Sequence, residues 1–148
     1  MELVRQRRKD DCLSCVAAMA FGVSPDEYEL FCTSKCLDST QDQSFVMFAF
    51  EFGYLCGIYL VEPLEFGYPD ELECVNLRPG RFFMGVKSSS QELCDKDISH
   101  AVYYEGGLFY DPALDAPHED ITRYRILSFL PVTKNSDHTR WERQSDLL

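Results

Sequence analysis

The sequence predicts an α+β fold in which a buried N-terminal helix packs against a mostly antiparallel sheet. The residues from Cys12 to Phe21 are apolar except for Ser14, a pattern typical of a helix that is buried on all sides. Candidate helices fill the first third of the chain and candidate strands follow, an order that segregates helices against a sheet. The 148 residues suffice for one domain with one core. We expect that domain to span residues 1–132 and a polar tail to follow at residues 133–148.

The first helix is expected to begin at Asp11 or Cys12 and to end before Gly22. Asp10 and Asp11 precede the apolar run, and aspartate is a preferred N-cap because its carboxylate accepts the free N–H groups of the first turn. Gly22 follows the run and suits a C-cap, because glycine adopts the left-handed conformation without a steric penalty.

Two further helices are expected before the strands begin. The sequence Ser-Pro-Asp-Glu at residues 24–27 matches the N-cap and first turn of a helix that runs from residue 25 to about residue 31. Residues 33–43 are polar and predict a loop. The aromatic run at residues 44–52 ends at Gly53 and predicts a third helix, with a strand as the alternative.

The later segments alternate between candidate strands and loops. Strands are expected at residues 55–61, 75–77, 81–87 and 124–132. Loops or turns are expected at residues 62–73, 79–80, 88–97 and 114–120, with His118 exposed in the last of these.

Residues 98–112 predict a β-hairpin that turns at Gly106 and Gly107, because a two-residue Gly-Gly turn is a strong hairpin signal. With this turn Glu105 faces Leu108, and His100 falls on the same face as Asp111, one diagonal step away. The hairpin therefore predicts a His–Asp pair. The alternative is an ordinary strand histidine and an aspartate that ends its strand.

Cys12 is the candidate nucleophile. It occupies the first turn of the buried helix, where the positive end of the helix dipole favours a thiolate. A nucleophilic cysteine also needs a base, a group that orients the base, and donors for the oxyanion. His100 and Asp111 are candidates for the first two. Cys15, one turn further along, is the alternative nucleophile and is expected to lie in the core.

This set of residues resembles the papain-like cysteine peptidases, and in particular the bacteriocin-processing (double-glycine leader) peptidase domains. Those domains carry Gln-x-x-x-x-Asp-Cys near their start and His followed by Asp-Pro near their end. The matching positions here are Gln6, Asp11, Cys12, His100, Asp111 and Pro112, and the resemblance covers about residues 4 to 130. Leu13 stands where family members usually have glycine.

The resemblance implies a role for each of four residues. Cys12 would attack a carbonyl carbon, His100 would take and return the proton, and Asp111 would hold the imidazole in the required tautomer. The side-chain amide of Gln6 and the backbone N–H of Cys12 would stabilise the oxyanion. It also implies a papain-like fold, a protein or peptide substrate and no cofactor.

Two alternatives to a peptidase remain open. The same triad serves deamidases, transglutaminases and hydrolases that remove ubiquitin-like tags, because all pass through a thioester. A catalytically inactive papain-like fold could instead act as an acidic, protein-binding inhibitory module.

The cysteine spacing supports a third possibility, a structural zinc site. The pairs Cys12–Cys15 and Cys32–Cys36 are spaced almost as in four-cysteine zinc proteins. We prefer no metal, because an apolar helix follows Cys15 and a chain with 45% hydrophobic residues needs no metal staple. The odd total of seven cysteines and the absence of an apolar signal segment predict reduced thiols and a cytosolic, cytoplasmic protein.

The net charge of −11 argues against non-specific nucleic-acid binding. No apolar run is long enough for a membrane helix, so no membrane partner is expected. Residues 5–9 are an exception in charge, since four of the five are basic. They lie just before the helix that carries the candidate nucleophile. They either attract an acidic substrate or form a solvent-exposed segment that leads into the helix. The oligomeric state is not predicted.

Overall fold

The computed structural model describes residues 1–56, 59–60, 80–88 and 99–134. Within these ranges it contains helices α1 (Cys12–Phe21), α2 (Pro25–Ser34) and α3 (Asp42–Glu51). The strands are β1 (Tyr54–Cys56), β2 (Tyr59–Leu60), β3 (Arg81–Val86), β4 (His100–Glu105), β5 (Leu108–Tyr110) and β6 (Ile126–Lys134), and a 3-10 turn spans Ile121–Arg123. The predicted strand at 75–77, the loop at 62–73, most of the loop at 88–97 and the tail beyond residue 134 lie outside the described residues.

The strands form one antiparallel sheet in the order β1-β6-β3-β4-β5, and β2 also pairs with β6. The three described α-helices precede the described strands in the chain. Helix α1 packs on β4 and also contacts α2 and α3. The predicted α+β class, with a buried N-terminal helix on a mostly antiparallel sheet, is therefore confirmed.

The core lies between the helices and one face of the sheet. Side chains alternate across β4: Ala101 and Tyr103 belong to the cluster with α1, whereas Val102 and Tyr104 belong to a second cluster. The first nine residues of α1 are all buried, as the apolar run predicted. The helix that carries Cys12 is thus held rigidly against the strand that begins with His100.

The start of α1 is confirmed at Cys12, but the predicted capping contact is wrong. Asp11 is the N-cap residue, yet its side chain makes no capping hydrogen bond. Its fully buried carboxylate instead accepts the backbone N–H groups of Arg7 and Arg8, each at 3.1 Å. Asp11 therefore folds the preceding segment around the helix start and leaves the N–H groups of the first turn without a side-chain cap.

The ends of several elements differ from the prediction. Ser24 caps α2 as expected, accepting the Glu27 N–H, but α2 continues to Ser34, into the predicted loop. The aromatic run is helical in α3, so the strand alternative is wrong. A 3-10 turn precedes β6, which begins at Ile126 and ends at Lys134, two residues beyond the predicted 132. Pairing with β1 extends β6 to that point.

The hairpin has the predicted register. Glu105 pairs with Leu108, and Tyr103 pairs with Tyr110. Gly106 and Gly107 connect the strands with φ values of 62° and 87°, the left-handed conformation that a two-residue type I′ turn requires at both positions. This register puts His100 and Asp111 on the same face of the hairpin.

Replacing Gly106 with alanine is expected to lower the free energy of unfolding by about 1–2 kcal/mol. A Cβ at this position would meet no atom within 4 Å, so the cost is conformational. Gly106→Asn is the matched control, because Asn-Gly is a preferred type I′ pair and should lose much less stability. Urea unfolding of both variants measures the difference, and equal losses would contradict this view of the turn.

Candidate active site

The beginning of α1 and the beginning of β4 meet at one place in the fold. Cys12 is the first residue of α1 and is 5% exposed. Its Sγ accepts the backbone N–H of Ala101 at 3.3 Å, across 89 residues of sequence. The contact places the sulfur beside His100, the neighbour of Ala101 in the chain.

His100 and Asp111 form a buried pair. The Nε2 atom of His100 lies 2.6 Å from Oδ1 of Asp111, and their side chains are 14% and 6% exposed. The Cys12 side chain also raises the pKa of His100, which indicates that the two side chains lie close together. Because Nε2 is engaged by the carboxylate, Nδ1 is the ring nitrogen left to interact with a thiol. The structure thus brings three of the four predicted site residues into one connected series.

The surroundings of His100 and Asp111 favour the charged form of both. Burial by itself lowers the pKa of His100, but the hydrogen bonds and charges of Asp111 and Cys12 outweigh burial and raise this pKa to about 9. Burial would raise the pKa of Asp111, but His100, the Ala113 N–H and the Tyr124 hydroxyl outweigh it and hold this pKa below its usual range. An imidazolium beside a carboxylate is therefore the stable state at neutral pH.

Two residues that the sequence did not single out for the site extend the series beyond Asp111. The Tyr124 hydroxyl donates to Oδ2 of Asp111 at 2.8 Å and lies 2.5 Å from Nε2 of His118. The Asp120 N–H donates to Nδ1 of His118 at 3.0 Å, so a neutral His118 carries its proton on Nε2 and donates it toward Tyr124. Both Asp111 oxygens therefore have partners that fix the carboxylate.

The prediction that His118 is exposed is wrong. Its ring stacks on Phe109, with centroids 5.5 Å apart and planes 21° apart, and it is half-buried. Its backbone exchanges two hydrogen bonds with Phe109. Burial, followed by the charge of Arg123, lowers the pKa of His118. A neutral His118 can hold the Tyr124 hydroxyl in place at neutral pH.

Replacing Tyr124 with phenylalanine is expected to leave Oδ2 of the buried Asp111 without its donor. A hydrogen bond to a charged group contributes about 1.5–3 kcal/mol, so unfolding should become easier by about that amount. Any activity that depends on Asp111 should fall about tenfold. The acid limb of its pH–rate profile should also move to higher pH, because the Tyr124 hydroxyl lowers the pKa of Asp111.

Tyr110→Phe is the matched control for this change. Tyr110 is a buried tyrosine of the same hairpin, and its ring packs near Tyr103. It should leave the pH–rate profile in place. A Tyr124→Phe profile that matches wild type would show that the hydroxyl does not position Asp111.

Gln6 lies next to the series but not in it. Its backbone N–H donates to the Pro112 carbonyl at 2.9 Å, which ties the N-terminal segment to the residue after Asp111. Its Nε2 donates to the Arg8 carbonyl at 3.0 Å. Within the described residues its Oε1 is buried without a hydrogen-bond partner. An amide nitrogen carries two protons, so one N–H of Gln6 is left for another acceptor.

The basic N-terminal run is held largely by ion pairs. Arg7 contacts Asp26 at 2.7 Å and Asp11 at 3.2 Å. Arg8 contacts Glu29 at 2.5 Å, and Glu29 also accepts the Ser14 hydroxyl. These contacts attach the run to α1 and α2, while the side chains of Arg7 and Arg8 remain exposed to solvent.

The other cysteines of the helical layer differ from Cys12. Cys15 is fully buried, and burial raises its pKa to about 12, which argues against the alternative nucleophile. Cys32 is buried and Cys36 is exposed, and neither is in a disulfide. Over the described ranges, no three His, Cys, Asp or Glu side chains are grouped as a metal site requires. No helix in those ranges is both long and apolar enough to cross a membrane, and the predicted cytosolic location stays a prediction.

A narrow cleft leads to Cys12. Its volume is about 10 Å³, room for about one water molecule. Its walls come from the segment before α1, α1 itself, the start of α3, β3 and the start of β4, and they comprise Asp10, Cys12, Leu13, Thr40, Asp42, Phe83, Ser99 and Ala101. Leu13 is therefore part of the wall beside the sulfur. The cleft admits only small groups.

Two solved structures have the same arrangement of helices and strands. The crystal structure of a double glycine motif protease from an AMS/PCAT transporter, in complex with the leader peptide, aligns with a TM-score of 0.58 over 90% of this chain and 91% of that one, at 16% identity. The peptidase domain of Streptococcus ComA, a bifunctional ABC transporter of a quorum-sensing pathway, aligns with a TM-score of 0.58 over 90% and 98%, at 13% identity.

The fold is that of the papain-like cysteine peptidases. The predicted resemblance is thereby confirmed at the level of the fold. No protein-family model matches the chain, and no curated protein matches it significantly. In this chain the buried helix α1 begins at Cys12.

Proposed function

We propose that this chain is a cysteine peptidase in which Cys12 is the nucleophile, His100 the general base and acid, and Asp111 the residue that orients His100. The observation that carries the proposal is the connected series of thiol, imidazole and carboxylate. It runs from Cys12 through His100, whose Nε2 lies 2.6 Å from Asp111. This series lies at the start of the buried helix of a papain-like fold.

In the proposed reaction, the Cys12 sulfur attacks the carbonyl carbon of the scissile bond and forms a tetrahedral intermediate. The negative oxygen accepts the backbone N–H of Cys12, which has no side-chain cap competing for it, and the remaining N–H of Gln6. His100 donates its Nδ1 proton to the leaving amine as the C–N bond breaks, and a thioester remains on Cys12.

Water completes the cycle. Neutral His100 takes a proton from water, and the resulting hydroxide attacks the thioester carbon and expels the Cys12 thiolate. Asp111 keeps the proton of the neutral imidazole on Nε2, so that Nδ1 is free to act as the base. The second carboxylate oxygen stays bound to Tyr124 throughout, which prevents rotation of the carboxylate.

The narrow cleft supports a preference for small residues before the scissile bond. Leu13, Phe83 and Ala101 restrict the space beside Cys12 to about 10 Å³. One of the structurally similar proteins is a double glycine motif protease bound to a leader peptide. We therefore propose peptides with Gly-Gly before the cleaved bond as substrates.

A matched peptide panel tests this function. One peptide carries Gly-Gly at its centre, and its control carries Val-Val in an otherwise identical sequence. Mass spectrometry should locate cleavage after Gly-Gly, with kcat/KM at least about a hundredfold lower for the control because valine clashes with the cleft. Binding of the Gly-Gly peptide without cleavage would contradict the peptidase function and favour the inactive binding module.

A further inference from the structure

A second, wider cavity lies on the other side of His100. It has a volume of about 270 Å³, slightly less than sites for drug-sized ligands and enough for a few side chains. Its walls come from the N-terminal segment, the end of β3 and the residues that follow β5 and precede β6. It borders His100, Asp111 and Gln6, whereas Cys12 borders the narrow cleft. We call it the basic cavity.

The basic cavity carries positive charge on a strongly acidic protein. Lys9, Lys87 and Arg123 line it, although the chain has a net charge of −11. Among the described residues that line it, Asp111 is the one carboxylate, and it is already bound to the His100 ring, the Ala113 N–H and the Tyr124 hydroxyl. Lys87 and Arg123 are exposed at their positions on the rim. The described residues therefore present a net positive charge to a ligand here.

The narrow cleft has the opposite charge. Asp10 and Asp42 line it, and Lys and Arg side chains are missing from its walls as far as the structure describes them. Asp42 is half-buried beside the cleft, and burial raises its pKa, so Asp10 is the more readily charged of the two carboxyls. Positive and negative linings thus lie on the two sides of the Cys12–His100 pair.

The chemistry of peptide cleavage determines which part of a substrate enters each space. The acyl part of the substrate becomes bonded to Cys12 and therefore lies toward the narrow cleft. The leaving amine takes its proton from His100, so the segment that follows the scissile bond passes along His100. The basic cavity borders His100 and not Cys12, and it lies on the leaving-group side.

We propose, on the basis of the peptidase function proposed above, that the basic cavity binds acidic side chains of the segment that follows the scissile bond. Lys9, Lys87 and Arg123 would pair with glutamate or aspartate carboxylates there, while Val86 and Leu114 would contact the aliphatic parts of the same side chains. Glutamate and aspartate after the cleaved bond would favour binding, and lysine would oppose it. This preference for acidic residues concerns the positions after the scissile bond and requires no acidic residue before it.

Binding of short peptides that represent the leaving segment tests this preference without requiring cleavage. The probes are the amides Ala-Glu-Glu-Ala, Ala-Gln-Gln-Ala and Ala-Lys-Lys-Ala, each with a free N-terminus. Dissociation constants from NMR titration of the full chain should be at least about tenfold lower for the glutamate peptide than for the glutamine peptide. The largest shifts should occur at Lys9, Lys87 and Arg123. Equal affinities, or shifts elsewhere, would overturn the proposal.

Charge reversal provides the second test. The double variant Lys87→Glu, Arg123→Glu should bind the lysine peptide more tightly than the glutamate peptide, reversing the wild-type order. Lys35→Glu is the control, because it makes the same charge change at an exposed position at the end of α2 and should keep the wild-type order. If the double variant does not fold, the single variants Lys87→Gln and Arg123→Gln should each weaken glutamate binding. An unchanged order in folded variants would overturn the proposal.

A cleavage assay separates the failure of this proposal from failure of the peptidase function. Two Gly-Gly peptides that differ only in Glu or Lys at the two positions after the bond are compared. Cleavage of both at the same rate would overturn the charge preference and leave the peptidase function intact. Cleavage of neither, with no preference in binding, would overturn both.

Discussion

Replacement of Cys12 by alanine is expected to lower kcat for a Gly-Gly peptide by about 10⁵- to 10⁶-fold, the loss found when a covalent nucleophile is removed. The thiol is the group that would form the thioester, and no other described cysteine contacts His100. The fold should persist, because the change deletes one sulfur atom next to the cleft. Initial rates from chromatography of the products measure the effect.

Cys15→Ala is the matched control for this prediction. It removes the same atom one turn further along α1, from a site that is fully buried in the core. The deletion should lower stability by about 1 kcal/mol, while kcat stays within about threefold of wild type. Loss of activity in Cys15→Ala with retention in Cys12→Ala would show that the nucleophile is misassigned.

Replacement of Asp111 by asparagine is expected to lower kcat by about 10⁴-fold, the size of effect that a wrong histidine tautomer produces. The carboxylate accepts a hydrogen bond from Nε2 of His100. An asparagine whose amide N–H₂ faces the ring would donate to Nε2 instead and leave the proton on Nδ1. With Nδ1 protonated and Nε2 bound to the asparagine, the imidazole could then no longer accept the thiol proton.

Asp115→Asn removes a carboxylate without touching the histidine. Asp115 is highly exposed and pairs with Arg5 at 2.9 Å. Exposed ion pairs contribute little to stability, so this variant should match wild type in rate. Asp111→Asn with near-normal kcat would show that the carboxylate does not set the tautomer.

The hairpin is the part of the site that the sequence predicts best. Two adjacent glycines select a two-residue turn, and the turn then determines which residues face each other across the strands. Glu105 faces Leu108 as expected, and His100 meets Asp111. Prediction succeeds here because a local backbone preference determines a longer-range contact.

The contacts of Asp11 show where local patterns fail. An aspartate before an apolar run is equally compatible with capping the helix and with binding the chain before it. Arg7 contacts both Asp11 and Asp26. These ion pairs favour the arrangement in which Asp11 binds the chain before the helix. That contact depends on the position of α2, which the spacing of residues around Asp11 does not reveal.

Tyr124 and His118 could not be predicted from any periodic pattern. Tyr124 follows a 3-10 turn, and His118 pairs with Phe109 through an isolated bridge. The Tyr124 hydroxyl reaches Asp111, and the His118 ring reaches Tyr124, because the chain folds back onto β5 after Pro112. A polar loop that contains histidine and is followed by a tyrosine gives no specific signal in one sequence.

The pH dependence of the alkylation of Cys12 by iodoacetamide is the most direct test of a catalytic Cys12–His100 pair. Because Asp111 and Cys12 raise the pKa of His100 to about 9, the imidazole stays protonated through neutral pH. It loses its proton only as the pH rises through that value. Wild type should therefore react rapidly at about pH 6, with little change up to about pH 8, and mass mapping should locate the label on Cys12. In His100→Ala the rate should rise only toward the ordinary thiol range, near about pH 8.5. Labelling of Cys12 that begins only near about pH 8.5 in wild type, and is unchanged in His100→Ala, would contradict the proposed pair.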